Sequence, residues 1–304
     1  PGTTAFDEPV WHEAVARLFV PERKLRLITA EHEGKLVGVL PLSLTNGALE
    51  SAGAAVSDYL DPIVHPEHQD QVWRAVLEFL RRRWDWSVSG LVLANLPEWS
   101  ACRKAVPAAA RASGMAAEEA IRETVLHIAL PATLDDYYKN LPKDDRIELR
   151  RRLKKAEAEA DAKLVEQTDP AAFPEALERG IQLMEARGGE KGEAIRQFVR
   201  PLLMATARRL LERKRLRLFV LHLCGQVAGA LFVLPSARGP MVYNTGFDLE
   251  LRTWGPGIVG NMMVLRAATE SGAGCFDLLR GQEKYKYSMG AKDQPLYALT
   301  VRRH

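Results

Sequence analysis

Cysteine is scarce in this sequence, and its few copies lie far apart. The 304 residues contain only Cys102, Cys224 and Cys275, and no C-x-x-C pair. An odd number at such spacings is atypical of a disulfide framework or a zinc site and favours a reducing compartment. We therefore expect a cytoplasmic protein without a metal site.

A strong excess of one charge and a long unbroken apolar run are also missing. Lys and Arg number 42 against 39 Asp and Glu, which gives a net charge of +3 and makes neither nucleic acid nor an anionic membrane the expected partner. The most apolar stretch, residues 218–234, is interrupted by His222, Gly225 and Gln226. A membrane helix needs about 20 residues without such breaks. The composition is that of a globular protein of one or two domains, with no membrane span.

An internal repeat organises the chain. Residues 34–40 (GKLVGVL) resemble residues 225–231 (GQVAGAL) at an offset of 191 residues, and an apolar strand precedes each segment. Each unit predicts a hairpin with glycine at its turn. The second glycine, Gly38 or Gly229, indicates a bulge or a close backbone approach in the outgoing strand.

The repeat continues downstream in the same order. An amphipathic helix pattern at residues 72–80 leads to an apolar strand at residues 90–96, and a second helix pattern at residues 258–268 leads to a strand at residues 274–279. Four matched elements predict a duplicated half-domain.

A strongly charged helix is predicted between the two halves. It carries Arg146, Arg150, Arg151, Arg152, Lys154 and Lys155, with acidic residues interspersed. One interpretation is a solvated, salt-bridged face. The other is a contact with an anionic partner, either a phosphate-bearing substrate or a nucleic acid.

The halves differ in the loop before the second helix. Residues 251–258 (LRTWGPGI) are glycine-rich, whereas their counterpart, residues 63–70 (IVHPEHQD), is not. Gly255 and Gly257 allow a ligand to approach backbone N–H groups, and Pro256 suits the first position of a helix. The positive helix end and Arg252 then favour an anion. The pattern predicts a diphosphate-binding loop; an ordinary glycine turn is the alternative.

A family resemblance rests on this loop and on the segment that follows it. Residues 243–257, together with residues 276–286 (FDLLRGQEKYK), resemble the C-terminal half of a GNAT superfamily acyltransferase of the branch named for the cellulose-biosynthesis protein CelD. That branch is similar in layout to the Fem-type aminoacyltransferases, which carry two GNAT-like halves. The resemblance implies an α/β (α+β) fold of two tandem half-domains, each with a mixed, mostly antiparallel sheet flanked by helices. We place a degenerate, acceptor-side half at residues 1–129 and the acyltransferase half at residues 130–304.

The resemblance also implies a donor site. Acetyl-CoA or another acyl-CoA would bind Arg252, Trp254, Gly255, Pro256, Gly257 and Ile258, with its diphosphate on the N–H groups of Gly255, Gly257 and Ile258. Its pantetheine arm would enter between two splayed strands, near residues 242–245 and 275–279. Tyr285 resembles the superfamily's catalytic acid, and Lys286 would neutralise a substrate acid or lie in solvent. Asp277 needs a partner on its strand, for which Arg280 is the simplest choice.

An acceptor site is predicted from the first half. Residues 57–61 (SDYLD) are similar to an acidic and aromatic segment that lines the acceptor groove of Fem-like transferases. We predict Asp58 as the catalytic base and expect one cleft to contain the acceptor contacts Tyr59, Asp61, Tyr243 and Lys286. A turn capped by an Asp side chain is the alternative. His65 and His68 have no third ligand nearby, so we predict no metal site.

Together these features predict an acyl-CoA-dependent N-acyltransferase, in the first instance an N-acetyltransferase. The acceptor would be a small-molecule amine: an amino sugar, an amino acid, or a precursor of the cell envelope or of a polysaccharide. One alternative is a Fem-like peptidyltransferase that uses aminoacyl-tRNA and contacts it through the charged helix. That reading is disfavoured because the sequence has no heptad insertion for a coiled-coil arm. The other is a catalytically silent binding protein, which the retained Gly255-Pro256-Gly257 loop disfavours.

Overall fold

The computed structural model describes residues 4–83 and 88–303, in which strands and helices alternate. In the first part of the chain the elements are, in order, α1 (Pro9–Phe19), β1 (Leu25–His32), β2 (Lys35–Thr45), β3 (Ala48–Ser51), β4 (Ile63–Val64), α2 (Gln69–Arg83), β5 (Gly90–Leu96), α3 (Cys102–Ala112) and β6 (Met115–Ala129). In the second part they are α4 (Leu134–Lys139), α5 (Lys143–Glu159), β7 (Lys163–Glu166), α6 (Phe173–Glu185), α7 (Gly189–Ala194), α8 (Arg200–Glu212), β8 (Arg217–Leu223), β9 (Gln226–Ser236), β10 (Gly239–Phe247), α9 (Pro256–Glu270), β11 (Cys275–Arg280), α10 (Lys284–Ser288) and β12 (Lys292–Arg303).

The chain divides into two compact units that are discontinuous in sequence. The N-terminal unit comprises residues 6–124 and 294–304, and the C-terminal unit comprises residues 1–5 and 125–293. The predicted division after residue 129 lies close to the observed one after residue 124. The final strand differs from the prediction, because it is grouped with the N-terminal unit. Residues 1 and 304, where the predicted domains begin and end, lie outside the described residues.

The N-terminal unit contains the strands β1-β2-β3-β5-β12 in that spatial order, with β4 beside β2. β3 and β5 are parallel, and the other registered pairs are antiparallel. The apolar stripe of α2, which includes the fully buried Trp73 and Leu77, packs with α3 on Leu91 and Leu93 of β5 and Val301 of β12. The three- and four-residue spacing of that stripe is what turns one helix face toward the sheet.

The C-terminal unit contains the last residues of β6, from Val125 on, followed in spatial order by β11-β10-β9-β8-β7, while the earlier part of β6 belongs to the N-terminal unit. Only β10 and β11 are parallel among the registered pairs of this unit. Its core joins α4, α5 and α9 to the sheet through residues such as Tyr137, Leu153, Leu265 and Phe276. The expected class, a mixed α/β fold with mostly antiparallel strands flanked by helices, is confirmed.

The predicted hairpins recur with the same local geometry. Glu33-Gly34 (φ 50° and 74°) and Cys224-Gly225 (φ 52° and 74°) both form left-handed turns. In β2, Val37 is an extra residue opposite the Ala30–Glu31 step, and in β9 the extra residue is Ala228, opposite the Leu221–His222 step. The bulges are separated by the same offset as the sequence repeat, which confirms the bulge that the second glycine indicated.

The charged helix is α5, and its basic side chains are partly neutralised within the chain. Glu148 pairs with Arg151 (2.8 Å) and Arg152 (2.6 Å), and Arg150 pairs with Asp135 (2.8 Å). Leu149, Leu153 and Ala156 form its buried face. These contacts favour the salt-bridged interpretation of the helix.

In the part of the chain that the structure describes, every helix is too short or too polar to cross a membrane.

Candidate functional site

The glycine-rich loop begins α9 as the sequence predicts. Gly255 is its left-handed N-cap (φ 64°, ψ 51°), and Pro256 takes the first helical turn. Two of the three predicted N–H donors are already used, because Gly255 N donates to the Arg252 carbonyl and Ile258 N donates to the Gly255 carbonyl, both at 3.0 Å. Of the three, the Gly257 N–H is left without a backbone acceptor among the described residues. Binding of a diphosphate by these N–H groups stays a prediction, and the Gly257 N–H is the one of the three that needs no bond broken first.

A cleft of about 270 Å³ opens at this loop. The residues that line it come from the α6–α7 connection, the end of β10, the loop itself, the first turns of α9 and the segment after β11. They are Arg187, Thr245, Phe247, Arg252, Gly255, Pro256, Gly257, Ile258, Asn261, Glu283 and Tyr285. All of them belong to the C-terminal unit. Five of the six predicted cofactor-binding residues therefore line one cavity, and Trp254 packs against the core instead.

The cleft lies where two parallel strands stop pairing. β10 and β11 share a single registered pair, Met241 with Asp277, although β10 continues to Phe247 and β11 to Arg280. Tyr243, a predicted substrate contact, is the extra residue of a bulge in β10 and is not among the lining residues. Entry of a pantetheine arm between these two strands, as the family resemblance implied, stays a prediction.

Two arginines in the cleft have no counter-ion in the part of the chain that the structure describes. Neither Arg187 nor Arg252 forms an ion pair or a side-chain hydrogen bond with any residue in 4–83 or 88–303, and both line the cleft. The Arg187 guanidinium lies 5.6 Å from the centre of the Phe247 ring. Since most other charged side chains around this unit are paired, two unpaired cations in one cavity indicate an anionic ligand.

Asn261 is a polar residue of the cleft wall that the sequence analysis missed. It is fully buried, and its Nδ2 donates to the Gly257 carbonyl at 2.7 Å. Its Oδ1 has no hydrogen-bond partner among the described residues. A buried acceptor without a donor is costly, which makes this oxygen a candidate contact for a ligand N–H or O–H.

Tyr285, the predicted acid, lies on this cleft and is half-buried. Burial raises the pKa of its phenol, and the Glu283 carboxylate raises it further, while Arg187 acts in the opposite direction. The phenol therefore keeps its proton at neutral pH and is available as a donor.

Glu283 supplies the negative charge of the cleft. Its carboxylate pairs with Lys191 (Oε1, 2.9 Å) and with Lys286 (Oε2, 3.1 Å). Burial alone would raise the pKa of this group, but the two ammonium groups outweigh it and lower the pKa to about 2. Glu283 is therefore a fixed anion near neutral pH and a poor base. The sequence analysis assigned it no role.

Lys286 is buried, with 5% of its surface exposed, so the expectation that it could lie in solvent is wrong. Its Nζ donates to the carbonyls of Leu278 (2.8 Å) and Arg280 (2.7 Å). Those carbonyls flank Leu279, whose φ is 53°. The ammonium thus holds the kinked end of β11; its contact with a substrate acid stays a prediction.

Asp277 finds a partner that the sequence did not suggest. Its Oδ2 lies 3.1 Å from His127 Nε2 on β6, the residue directly opposite in the ladder, and its Oδ1 accepts from the Leu279 N–H at 2.8 Å. Both side chains are buried. The pair stabilises the junction of β6 and β11.

The predicted acceptor residues lie in the N-terminal unit. Asp58 and Tyr59 are each 5% exposed, and the Tyr59 ring contacts Phe6 and Trp99. Asp61 accepts a 2.6 Å hydrogen bond from Ser100, and burial raises its pKa. The catalytic role of Asp58 and the shared cleft stay predictions. No group of three metal-binding side chains occurs among the described residues.

Comparison with known proteins gives a family match within the C-terminal unit and similar folds for the chain. Residues 143–287, which include every residue of the cleft, match the acetyltransferase (GNAT) domain family. The structure is similar to that of FemX, with a TM-score of 0.64 and 11% identity over 98% of this chain and 92% of that chain. It is also similar to a conserved protein of unknown function from Bacteroides thetaiotaomicron (TM-score 0.63, 12% identity, 97% and 90%). A third similar structure is the C-terminal DUF2156 domain of an Agrobacterium fabrum protein (0.60, 11%, 95% and 86%).

The sequence matches no curated protein sequence. The CelD-like branch therefore stays a prediction. The family match over residues 143–287 supports the general acyltransferase class, and the fold of the chain is similar to that of FemX.

Proposed function

We propose that this protein is an acyl-CoA-dependent N-acyltransferase whose C-terminal unit binds the donor, with acetyl-CoA as the first donor to test. The observation that carries the proposal is the cleft at the start of α9, where Arg252, which has no counter-ion among the described residues, lies beside the positive end of the helix. An anionic ligand with a long neutral arm suits a cavity that is cationic at the loop and is also lined by Thr245 and Phe247 at the end of β10.

The donor diphosphate would contact Arg252 and the free N–H of Gly257. Arginine suits this contact because its planar guanidinium binds phosphate through two hydrogen bonds. The pantetheine arm would follow the gap between β10 and β11 past Thr245. The unpaired Oδ1 of Asn261 gives an N–H of that arm an acceptor.

Acyl transfer then needs a group that takes protons from the amine and a group that supplies a proton to the thiolate. The acceptor ammonium loses one proton to the surrounding water, and its nitrogen attacks the thioester carbon. The carbon–sulfur bond breaks, the base takes the second amine proton and gives it up to water, and the thiolate takes a proton from the Tyr285 phenol, which water then reprotonates. The products are an amide, a free thiol and one released proton. In this scheme Tyr285 is the acid, Asp58 keeps its proposed role as base, and Tyr59, Asp61 and Tyr243 keep their proposed roles at the acceptor.

Calorimetric titration with CoA tests the donor site. Arg252→Gln should weaken binding by about 10- to 100-fold, as expected when a charge-assisted hydrogen bond is lost. Arg196→Gln is the matched control, because Arg196 lies in the same unit but is paired with Glu193 and does not line the cleft. Gly257→Trp, which would drive a bulky side chain against Phe247, should abolish binding without unfolding the protein. No CoA binding by the unaltered protein, or equal binding by Arg252→Gln, would overturn the proposal.

Transfer from aminoacyl-tRNA is the second candidate function, and the likeness to FemX favours it. The pairing of Arg150, Arg151 and Arg152 with acidic side chains weakens it, because those cations are partly neutralised. Thiol release from acetyl-CoA in the presence of amines supports the first candidate. Amide formation from aminoacyl-tRNA alone supports the second, and CoA binding without thiol release would indicate a silent binding protein.

A further inference from the structure

Near the Tyr285 phenol, the cleft carries one side chain of each charge. Arg187 and Glu283 both line the cavity, and their charges act on the Tyr285 phenol with opposite sign. The donor features, Arg252 and Gly257, lie on the loop that begins α9. The region around the phenol therefore contains both a positive and a negative side chain.

Arg187 is free to bind an anion. It ends the segment after α6, next to Gly188 and Gly189 in left-handed conformations (φ 66° and 56°), and it has no acidic partner among the described residues. Its contact with the Phe247 ring holds the guanidinium over one wall of the cleft. A guanidinium presented in this way suits a carboxylate, with which it forms two parallel hydrogen bonds.

Glu283 can accept an ammonium by exchange. Its partner Lys191 is 62% exposed, and ion pairs at that exposure contribute only about 0–1 kcal/mol. Lys286, by contrast, is buried and also tied to two carbonyls, so it stays in place. A substrate ammonium can therefore replace Lys191 at Oε1 with little loss. Because Glu283 stays ionised, it would hold the ammonium rather than deprotonate it.

We propose that the acceptor is a zwitterion, an amino acid rather than an amino sugar, with its carboxylate on Arg187 and its amino group beside Glu283 and Tyr285. The inference rests on the proposed acyl transfer and narrows its acceptor. The nitrogen that Glu283 orients is the one that forms the amide bond, by the proton and bond changes given above. The acid group of the acceptor takes no part in the chemistry and only fixes the orientation.

The test compares each common L-amino acid with the amine left when its α-carboxylate is removed, and includes glucosamine. Thiol release from acetyl-CoA gives kcat/KM for each acceptor. We expect the best amino acid to exceed both its decarboxylated amine and glucosamine by about 10-fold or more. An amine or glucosamine that reacts as well as every amino acid would overturn the inference while leaving the acyltransferase proposal intact.

Variants test whether Arg187 and Glu283 bind the two charged groups of the acceptor. Arg187→Gln should lower kcat/KM for the amino acid by about 10- to 100-fold, leave the decarboxylated amine unaffected and leave the Kd for CoA unchanged. Arg196→Gln should match the unaltered protein with both acceptors. Loss of CoA affinity in Arg187→Gln would overturn the inference, because Arg187 would then belong to the donor site.

Lys191→Met tests Glu283 without removing the partner of the buried Lys286. Since the competing ammonium is gone, KM for the amino acid should fall by up to about 5-fold, with the Kd for CoA unchanged. An unchanged or raised KM would contradict the exchange. If CoA does not bind at all, this inference fails together with the proposed function, and the titration distinguishes that case from the others.

Discussion

Two features of the structure require glycine at position 255: its left-handed backbone and the Arg152 side chain beside it. The φ of Gly255 is 64°, and a Cβ at this position would overlap the Nη1 of Arg152. We expect Gly255→Ala to lower the free energy of unfolding by about 2–3 kcal/mol and to weaken CoA binding, because left-handed strain adds to a displaced arginine. Gly225→Ala is the control, since Gly225 has a φ of 74° with no atom within 4 Å. It should cost about 1 kcal/mol and leave CoA binding unchanged. Equal effects of the two changes in denaturant titrations would contradict the role of Arg152.

Lys286 is a second residue whose environment fixes its identity. Lys286→Met would leave the Leu278 and Arg280 carbonyls without their donor and would remove a partner of Glu283. We expect a loss of about 3 kcal/mol or more in the free energy of unfolding. Lys284→Met, two residues earlier on the exposed side of α10, should stay within about 0.5 kcal/mol. A neutral Lys286→Met in chemical denaturation would show that the carbonyls find other donors.

Some of the cleft residues could be predicted and others could not. Gly255, Gly257 and Arg252 stand together in one short segment, so composition and spacing were enough to select them. Arg187 comes from the α6–α7 connection and has no sequence relation to the loop. That Lys286 is buried could not be predicted either, because its donors bind backbone carbonyls, which carry no residue-specific signal.

At the scale of elements, the segment from β11 through α10 is held by buried charge, which gives its stability an acid dependence. The pKa of Glu283 is lowered from 4.5 in the unfolded chain to about 2. The stabilisation is therefore fully present above about pH 4.5 and is lost as pH falls toward about 2. We expect Glu283→Gln to remove a decline on the order of 2 kcal/mol over that window. Parallel curves of unfolding free energy against pH for the two proteins would contradict the assignment.

The hairpins show what patterns along an element can predict. The repeated glycine pairs gave the turns at Gly34 and Gly225 and a bulge in each outgoing strand. Patterns along the sequence could not predict which strand β12 pairs with. β12 is a run of alternating residues that would fit beside several strands, and its pairing with β5 depends on the register of the folded chain.

At the scale of the whole molecule, each half of the sequence gives a strand to the unit built from the other half. The last residues of β6 pair with β11, and β12 pairs with β5. We expect fragments cut after residue 129, the predicted boundary, to fold poorly when produced apart, because residues 1–129 lack β12 and residues 130–304 lack the end of β6. Fragments that follow the observed units should do better. These are residues 125–293 alone and residues 6–124 joined to 294–304 by a flexible linker.

Circular dichroism and denaturant titration of both fragment sets would measure the difference. Cooperative unfolding of the 1–129 fragment with the stability of its linked counterpart would contradict a structural need for β12. The comparison is matched, since both N-terminal fragments contain the same helices and differ mainly in the final strand.

This exchange of strands also orders events during synthesis. Residues 6–124 are made before residues 125–293, and β5 meets its neighbour β12 only after residues 294–303 have been made. At about 5–20 residues per second, the roughly 170 residues in between take about 10–30 s. Throughout that interval the edge of β5, with the buried Leu91 and Leu93 beside it, has no strand to cover it. Translation speed and chaperone supply, rather than final stability, should then govern the yield of folded protein in a cell.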